Sequence, residues 1–178
     1  MFVTDYNPDD LVAKVTELLV ATHDAADPEI DRSVPEVLSL LRNKLSMDVI
    51  FVSQFVDGKR VFRHVDQDQG AEVIETGGSD PLEDSWCKQV VEGRLPQFIQ
   101  DAGKQPETAA QLDKLAFPIG THISVPIVLK GGEVYGTLCT FSFRPKEING
   151  HDALTVLQLT AQLTAMKIEE GERSGLSR

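Results

Sequence analysis

The stretch ISVPIVLKGGEVYGTLCTFSF, residues 123–143, decides the architecture of this chain. Apolar and β-branched residues dominate both of its halves, and a Lys-Gly-Gly turn at 130–132 separates them. The pattern predicts a β-hairpin with strands over 123–129 and 133–143. Pro126 has no backbone N–H to donate, so we expect its strand to lie at a sheet edge or to be bulged at that point.

A second hairpin is predicted upstream of the first. Residues 47–56, MDVIFVSQFV, are apolar on both faces of an extended chain, which is typical of a buried strand. Asp57-Gly58 follows as a strong two-residue turn signal, and the more alternating segment 59–65 is predicted as the return strand. A weaker strand is predicted over 71–75.

Helices are predicted on either side of these hairpins. Asn7 caps the first helix, and Ser33 and Asp80 each precede a glutamate by three residues, which predicts the start of a second and a third helix. Gly93 suits the end of the third helix. The last helix is predicted over 152–169, and a short helical turn over 109–115.

This order of elements predicts an α+β fold. Strands joined by hairpins form a mostly antiparallel central sheet, and the terminal helices pack on one of its faces. Residues 76–117, which we name the roof segment, must then cover the other face, because an apolar sheet face does not stay exposed to water. A sheet covered by a helix and a long loop favours a ligand pocket between them.

Composition excludes several classes of function. The chain has 178 residues and a net charge of -11, so it is predicted to form one acidic domain that binds neither nucleic acid nor anionic membrane. No apolar run is long enough to span a bilayer, and no signal peptide is evident, so we expect a cytoplasmic protein. Two cysteines make no disulfide framework, and no metal-ligand spacing or nucleophile–base pair stands out.

Three motifs together resemble the GAF domain, a small sensory module of signalling proteins. They are ISVPI at 123–127, GEVYGTL at 132–138 and QLTAMKIE at 162–169, and Asp101 falls where the family usually has an aspartate. The likeness covers 11–170 and leaves 1–10 and 171–178 as terminal tails. DSWCKQVVEGRLP at 84–96 resembles a bacterial subgroup often fused to cyclic-di-GMP turnover domains or to histidine kinases.

The resemblance implies five or six antiparallel strands, a small molecule bound between sheet and roof segment, and pairing through the terminal helices. The ligand or cofactor itself is not identified. The Asn-Lys-Phe-Asp-Glu motif of cyclic-nucleotide-binding members is absent from the sequence, which argues against cAMP or cGMP. The last helix carries two neighbouring apolar stripes. One can pack on the sheet while the other meets the first helix or a second copy of the chain, so a homodimer is expected.

The candidate ligand-binding residues come from the sheet and the roof segment. Trp86 is a natural aromatic wall. His64 and His122 lie on predicted strands and could face one cavity, where an imidazole could bind a ligand carboxylate, phosphate or carbonyl. Asp101 caps the following turn, or holds a ligand or the loop itself. Alternation adds six residues of the sheet: Phe51, Ser53, Phe62, Ser124, Thr137 and Phe141.

Cys87 completes the candidate set. Free cysteines usually pack as small apolar residues, and we expect this of Cys87 and Cys139. Cys87 is nevertheless a candidate redox thiol or chromophore attachment point, although bilin-binding relatives commonly have histidine after the cysteine and this chain has Lys88. The reductase branch of the fold, which acts on free methionine sulfoxide, needs several pocket cysteines, so that activity is not expected.

We therefore predict a non-enzymatic sensory domain that binds a small molecule and signals through its terminal helices, to an output domain or protein. Two alternatives stay open. One is a dimerisation or partner-binding module whose pocket is filled by its own bulky side chains, and the other is a thiol or chromophore sensor through Cys87.

Overall fold

A six-stranded antiparallel sheet forms the centre of the structure, a computed structural model that describes residues 6–20 and 30–176. The strand order is β3-β2-β1-β6-β5-β4, and every neighbouring pair is antiparallel. The strands are β1 (Val49–Val56), β2 (Lys59–Gln67), β3 (Ser79–Pro81), β4 (Phe98–Ile99), β5 (His122–Val128) and β6 (Val134–Phe141). The predicted α+β class and strand number are confirmed.

Three long helices cover one face of this sheet. They are α1 (Pro8–Val20), α2 (Ile30–Leu45) and α5 (Gly150–Leu176), and they share one apolar core with the sheet. The opposite face is covered by α3 (Trp86–Val91) and the loop that follows it, which contains α4 (Pro106–Ala109) and a 3-10 turn (Leu112–Lys114). Most of the roof segment therefore covers the face that the sequence predicts, whereas its residues 79–81 and 98–99 are outer strands of the sheet itself.

The central strand β1 contributes side chains to both layers. Ile50 and Val52 belong to the helix-side core, whereas Val49 and Phe51 belong to a separate apolar cluster on the roof side. All four side chains are buried. A strand buried on both faces needs the continuous apolar pattern that residues 47–56 show.

The predicted start of the third helix at Asp80 is wrong. Residues 79–81 instead form the edge strand β3, which pairs with the beginning of β2, and α3 starts at Trp86. Ser85 is the true cap, because its Oγ accepts the backbone N–H of Lys88 at 3.1 Å. Pro81 is compatible with this strand because β3 is the outermost strand of the sheet.

The predicted strand over 71–75 does not form either. The backbone N–H groups of Val73 and Ile74 donate to Oε1 of Gln67, at 2.8 and 2.9 Å. One side-chain amide thus takes the hydrogen bonds that a partner strand would have taken.

Two helices are longer than predicted. α2 begins at Ile30, so Ser33 is an interior residue and not the cap. α5 continues through Gly171 to Leu176, because one glycine costs a helix only about 1 kcal/mol relative to alanine. The cap of α1 is confirmed, since Asn7 Oδ1 accepts the N–H of Asp9 at 2.9 Å. Within the described residues, no helix is long and apolar enough to cross a bilayer.

Candidate functional site

A cavity of about 250 Å³ lies between the sheet and the roof segment. Its wall is mainly apolar and aromatic, from β1, β6, α3 and the loop after the 3-10 turn. Its polar groups are Arg60, Asp80, Asp84, Ser85, Lys114 and His122. An apolar wall with a few polar groups is the usual form of a small-molecule site, although this cavity is at the small end of the range.

Four of the predicted site residues line this cavity: Phe51, Trp86, His122 and Phe141. Phe62 lies directly beneath, with its ring edge-on to Phe51 and the ring centroids 5.0 Å apart. Phe117 of the loop, which the sequence analysis did not select, stacks on Phe141 with centroids 5.2 Å apart. The roof segment is therefore held to the sheet by aromatic contacts that also form the cavity wall.

Three predicted hydroxyl residues lie on the roof-facing side of the sheet but do not line the cavity. Ser53 Oγ and Thr137 Oγ1 are 2.8 Å apart across β1 and β6. Ser124 Oγ donates to the sulfur of Cys87, with 3.7 Å between the atoms. All three are completely buried and form no part of the cavity wall.

The prediction that His64 faces this cavity is wrong. Val52 pairs with His64 and Ser53 pairs with Phe62, so an extra residue of β2 bulges between these two pairs. Because Val52 points into the helix-side core, its partner His64 lies on that same face of the sheet. Simple alternation along the strand cannot reveal a bulge, and it placed His64 with Phe62.

Asp101 lies outside the cavity. Its Oδ1 accepts the backbone N–H of Gly103 at 2.9 Å, and its carbonyl oxygen accepts the N–H groups of Lys104 and Gln105. Of the roles considered for Asp101, the structure supports capping of the turn that begins the loop.

An ion pair that the sequence analysis missed holds the edge of the cavity. Arg60 donates from Nε to Asp80 Oδ1 at 2.9 Å and from Nη2 to Oδ2, in the fork geometry that suits a carboxylate. The guanidinium also lies over the rings of Phe51 and Phe62, 5.4 and 5.0 Å from their centroids. The signal available was the spacing of Arg60 two residues before Phe62, which places both on one strand face.

Arg60 also contacts the sulfur of Cys87, to which its Nη1 donates at 3.3 Å. Burial by itself raises the pKa of Cys87. The opposing effects are larger and lower the pKa to about 5: they are a hydrogen bond from Cys139, the charge of Arg60 and a hydrogen bond from Thr137. Burial likewise works against the charge of Arg60, yet the negative sulfur of Cys87 and then Asp80 raise the pKa of Arg60 above its usual value. The arrangement is that of a buried thiolate beside a guanidinium.

Cys139 and His122 continue this chain of contacts toward the cavity. The Sγ atom of Cys139 and Nε2 of His122 lie 3.3 Å apart. Burial, and then the hydrogen bond and negative charge of Cys87, raise the pKa of Cys139 well above its usual value, so it keeps its proton. Burial and the charge of Arg60 lower the pKa of His122 to about 3, so the imidazole is neutral. Among the described residues, no group of three or more potential metal ligands occurs.

Comparison with solved structures shows the same fold in proteins of different function. The chain aligns with the chromophore-binding domain of the bacteriophytochrome RpBphP3 from R. palustris (TM-score 0.69, 15% identity), covering 93% of this chain and 62% of that one. It aligns with the GAF domain of Acinetobacter phosphoenolpyruvate-protein phosphotransferase (TM-score 0.71, 13% identity), covering 92% and 93%. Free methionine-R-sulfoxide reductase from Neisseria meningitidis, solved with its substrate, aligns at TM-score 0.71 and 10% identity over 98% of each chain.

Sequence comparison identifies the family. No curated protein matches the chain. The family model of the GAF domain matches residues 29–169, which include β1 to β6 and the helix α3 that covers the cavity. The chain therefore belongs to the GAF domain family.

Proposed function

We propose that this chain is a sensory domain that binds a small molecule in the cavity and carries out no catalysis. The observation that carries the proposal is that the cavity stays open although Phe51, Trp86 and Phe141 all point into it. A module whose pocket is filled by its own side chains would leave no such space. The aromatic wall favours a ligand with an apolar body.

The path of the signal follows from strand β5. His122 reaches the cavity from one face of this strand, whereas Ile123 and Val125 pack into the helix-side core from the other. A ligand that moves β5 thus acts on the helices beneath it, including α5. It changes the helix arrangement only to the extent that it binds one arrangement more tightly than the other.

The proposal is tested by native mass spectrometry of freshly purified protein, before and after denaturation. Ala116 is exposed at the cavity wall, so Ala116→Trp is expected to close the cavity. Ala110→Trp is the matched control, because Ala110 is exposed but does not line the cavity. A molecule that copurifies with the wild type and the control but not with Ala116→Trp supports the proposal, and one retained by Ala116→Trp contradicts it.

We also propose that the chain forms a homodimer through α1 and α5 in the cytoplasm and acts on a separate output domain or protein. Within the chain, α1 already packs on α5, so the dimer surface must use what this pairing leaves exposed. Met166 of α5 supports the idea, because 55% of it is exposed. Light scattering is expected to show that Met166→Glu dissociates the dimer and that Val73→Glu, at an exposed apolar residue of the loop after β2, does not. Free thiols at Cys87 and Cys139 fit a reducing compartment.

A thiol sensor through Cys87 is the second candidate function. It is favoured by the guanidinium of Arg60, whose Nη1 donates to the sulfur of Cys87 at 3.3 Å, and by the lowered pKa of that thiol. A visible absorption spectrum tests for an attached chromophore, and thiol titration of the native protein tests for a reactive sulfur. A colourless protein whose two thiols react only after denaturation would contradict this candidate.

A further inference from the structure

Two exposed residues of opposite charge line the cavity between the sheet and the roof segment. Asp84 lies in the segment before α3, and Lys114 ends the 3-10 turn of the loop that follows α3. Neither forms a salt bridge, with the other or with a third residue, in the part of the chain that the structure describes. A carboxylate and an ammonium group at one cavity are therefore both available to a bound molecule.

The same two residues also line a second cavity. Its volume is about 450 Å³, and it shares Asp84, Trp86, Lys114 and Leu115 with the first cavity. These four residues are thus the boundary between the two cavities. Trp86 is buried and Leu115 is half-buried, whereas both charged residues are exposed. A ligand at this boundary keeps its charged groups in contact with water, which avoids the large cost of burying an ion.

The inner part of the first cavity favours an apolar group. Arg60 donates to both carboxylate oxygens of Asp80, so these two charges neutralise each other. The rings of Phe51, Phe117 and Phe141 form much of the remaining wall. An apolar group that enters from the boundary is removed from water against these rings, which stabilises the complex.

The two other polar side chains of this cavity offer no charge to a ligand. Ser85 Oγ donates to the carbonyl oxygen of Leu82 and accepts the N–H of Lys88. His122 is only 2% exposed, and its Nε2 lies 3.3 Å from the sulfur of Cys139. A charged ligand therefore finds its partners at the boundary and not in the interior.

Opposite charges at one boundary disfavour a ligand that carries a single charge. A molecule with only a carboxylate is attracted by Lys114 and repelled by Asp84, and for an amine the two effects are exchanged. Glu83 adds a carboxylate to the second cavity alone, where Arg94 is already paired with Glu92 at 2.6 Å. A molecule that carries both charges gains from both contacts.

We infer that the ligand is a small zwitterion with an apolar body, the chemistry of a free α-amino acid with an aromatic or branched aliphatic side chain. Its side chain occupies the first cavity, its ammonium group contacts Asp84 and its carboxylate contacts Lys114. This inference rests on the proposed function and specifies its ligand class. It assigns a ligand carboxylate to Lys114, where the sequence analysis considered histidine.

The inference is tested with four probes that share one apolar body. Phenylalanine carries both charges, 3-phenylpropanoate only the carboxylate, 2-phenylethylamine only the ammonium group and ethylbenzene neither. Their affinities for the full chain are measured by ligand-observed NMR at neutral pH. We expect phenylalanine to bind at least about fivefold more tightly than each of the other three, the effect of one favourable contact between partly exposed charges.

Two variants assign the two contacts. Asp84→Asn should remove the advantage of phenylalanine over 3-phenylpropanoate, and Lys114→Gln should remove its advantage over 2-phenylethylamine. Asp113→Asn and Lys104→Gln are the matched controls, because both residues are exposed in the same loop and line neither cavity. The controls should leave all four affinities unchanged.

The outcomes separate this inference from the proposed function. Equal binding of phenylalanine and any of the other probes overturns the inference and leaves the proposed function standing. An advantage of phenylalanine that survives both Asp84→Asn and Lys114→Gln has the same meaning. If none of the four probes binds, or if Ala116→Trp leaves their binding intact, the proposed function fails and this inference fails with it.

Discussion

The thiolate of Cys87 makes the stability of the protein depend on pH. In the folded chain the pKa of Cys87 is about 5, below the ordinary value of 9.0, because Arg60 and the surrounding donors outweigh burial. Between these two values the unfolded chain holds a proton that the folded chain has lost. The free energy of unfolding therefore rises with pH through this window, and the stabilisation is lost as the pH falls through about 5.

The size of the effect follows from the pKa difference. One proton corresponds to about 1.4 kcal/mol for each pH unit, so raising the pH from about 6.5 to about 8 should add about 2 kcal/mol to the free energy of unfolding. His122 has a folded pKa of about 3 and an ordinary value of 6.5, and its contribution has the same sign. It levels off about one pH unit above 6.5 and is shared by the wild type and Cys87→Ala, so the difference between these two proteins reports on Cys87.

The assay is urea unfolding of the wild type and Cys87→Ala at both pH values. We expect the wild type to gain about 2 kcal/mol over the variant across the window, with equal m-values. Cys139→Ser is the matched control, because it removes a thiol that stays protonated in the folded protein between these two pH values and leaves a hydroxyl in its place. The difference in unfolding free energy between this variant and the wild type should therefore not change with pH. An equally flat difference for Cys87→Ala would refute the reasoning, since Cys87 would then be protonated in the folded protein.

Three further predictions concern the sheet, the first helix and the guanidinium beside Cys87. Gly136→Ala should destabilise the protein by about 1–3 kcal/mol or more in thermal unfolding, because an added Cβ would lie 1.9 Å from the backbone oxygen of Ser53. Gly131→Ala is the control: an added Cβ at Gly131 meets no atom within 4 Å, so the stability should change by less than about 0.5 kcal/mol. Asn7→Ala should cost about 1 kcal/mol in urea unfolding by removing the cap of α1, and an unchanged midpoint would show that the cap is dispensable. Arg60→Met should abolish the rise in stability between about pH 6.5 and 8, because it removes the charge that favours the Cys87 thiolate. A preserved rise would mean that the neighbouring hydroxyl and thiol groups are enough to keep Cys87 ionised.

Local sequence patterns predicted most of the secondary structure. The two hairpins, the cap at Asn7 and the long final helix depend on residues close together in the chain, and the structure has all of them. The errors came where a residue outside the segment changes its hydrogen bonding. Asp80 resembles a helix cap in sequence, yet its strand pairs with Lys59–Val61. The segment 71–75 has strand-forming residues, yet Gln67 takes its hydrogen bonds.

The candidate site was predicted only in part, for the same reason. Alternation correctly placed Phe51 and Phe141 at one cavity, because a strand repeats its direction at a fixed period, and Trp86 and His122, chosen for their chemistry, line it as well. The same rule misplaced His64, because one bulged residue reverses every side chain beyond it.

By itself the sequence determined the α+β class, the acidic surface and the family motifs, since these depend on composition and on short-range order. The tertiary structure alone decided the chemistry of the cavity. Arg60 meets Cys87 across 27 residues of chain, and Ser124 meets it across 37. Charge and hydrogen bonding at a buried sulfur act over a few ångströms, so the ionisation of Cys87 depends on folding to bring these residues together.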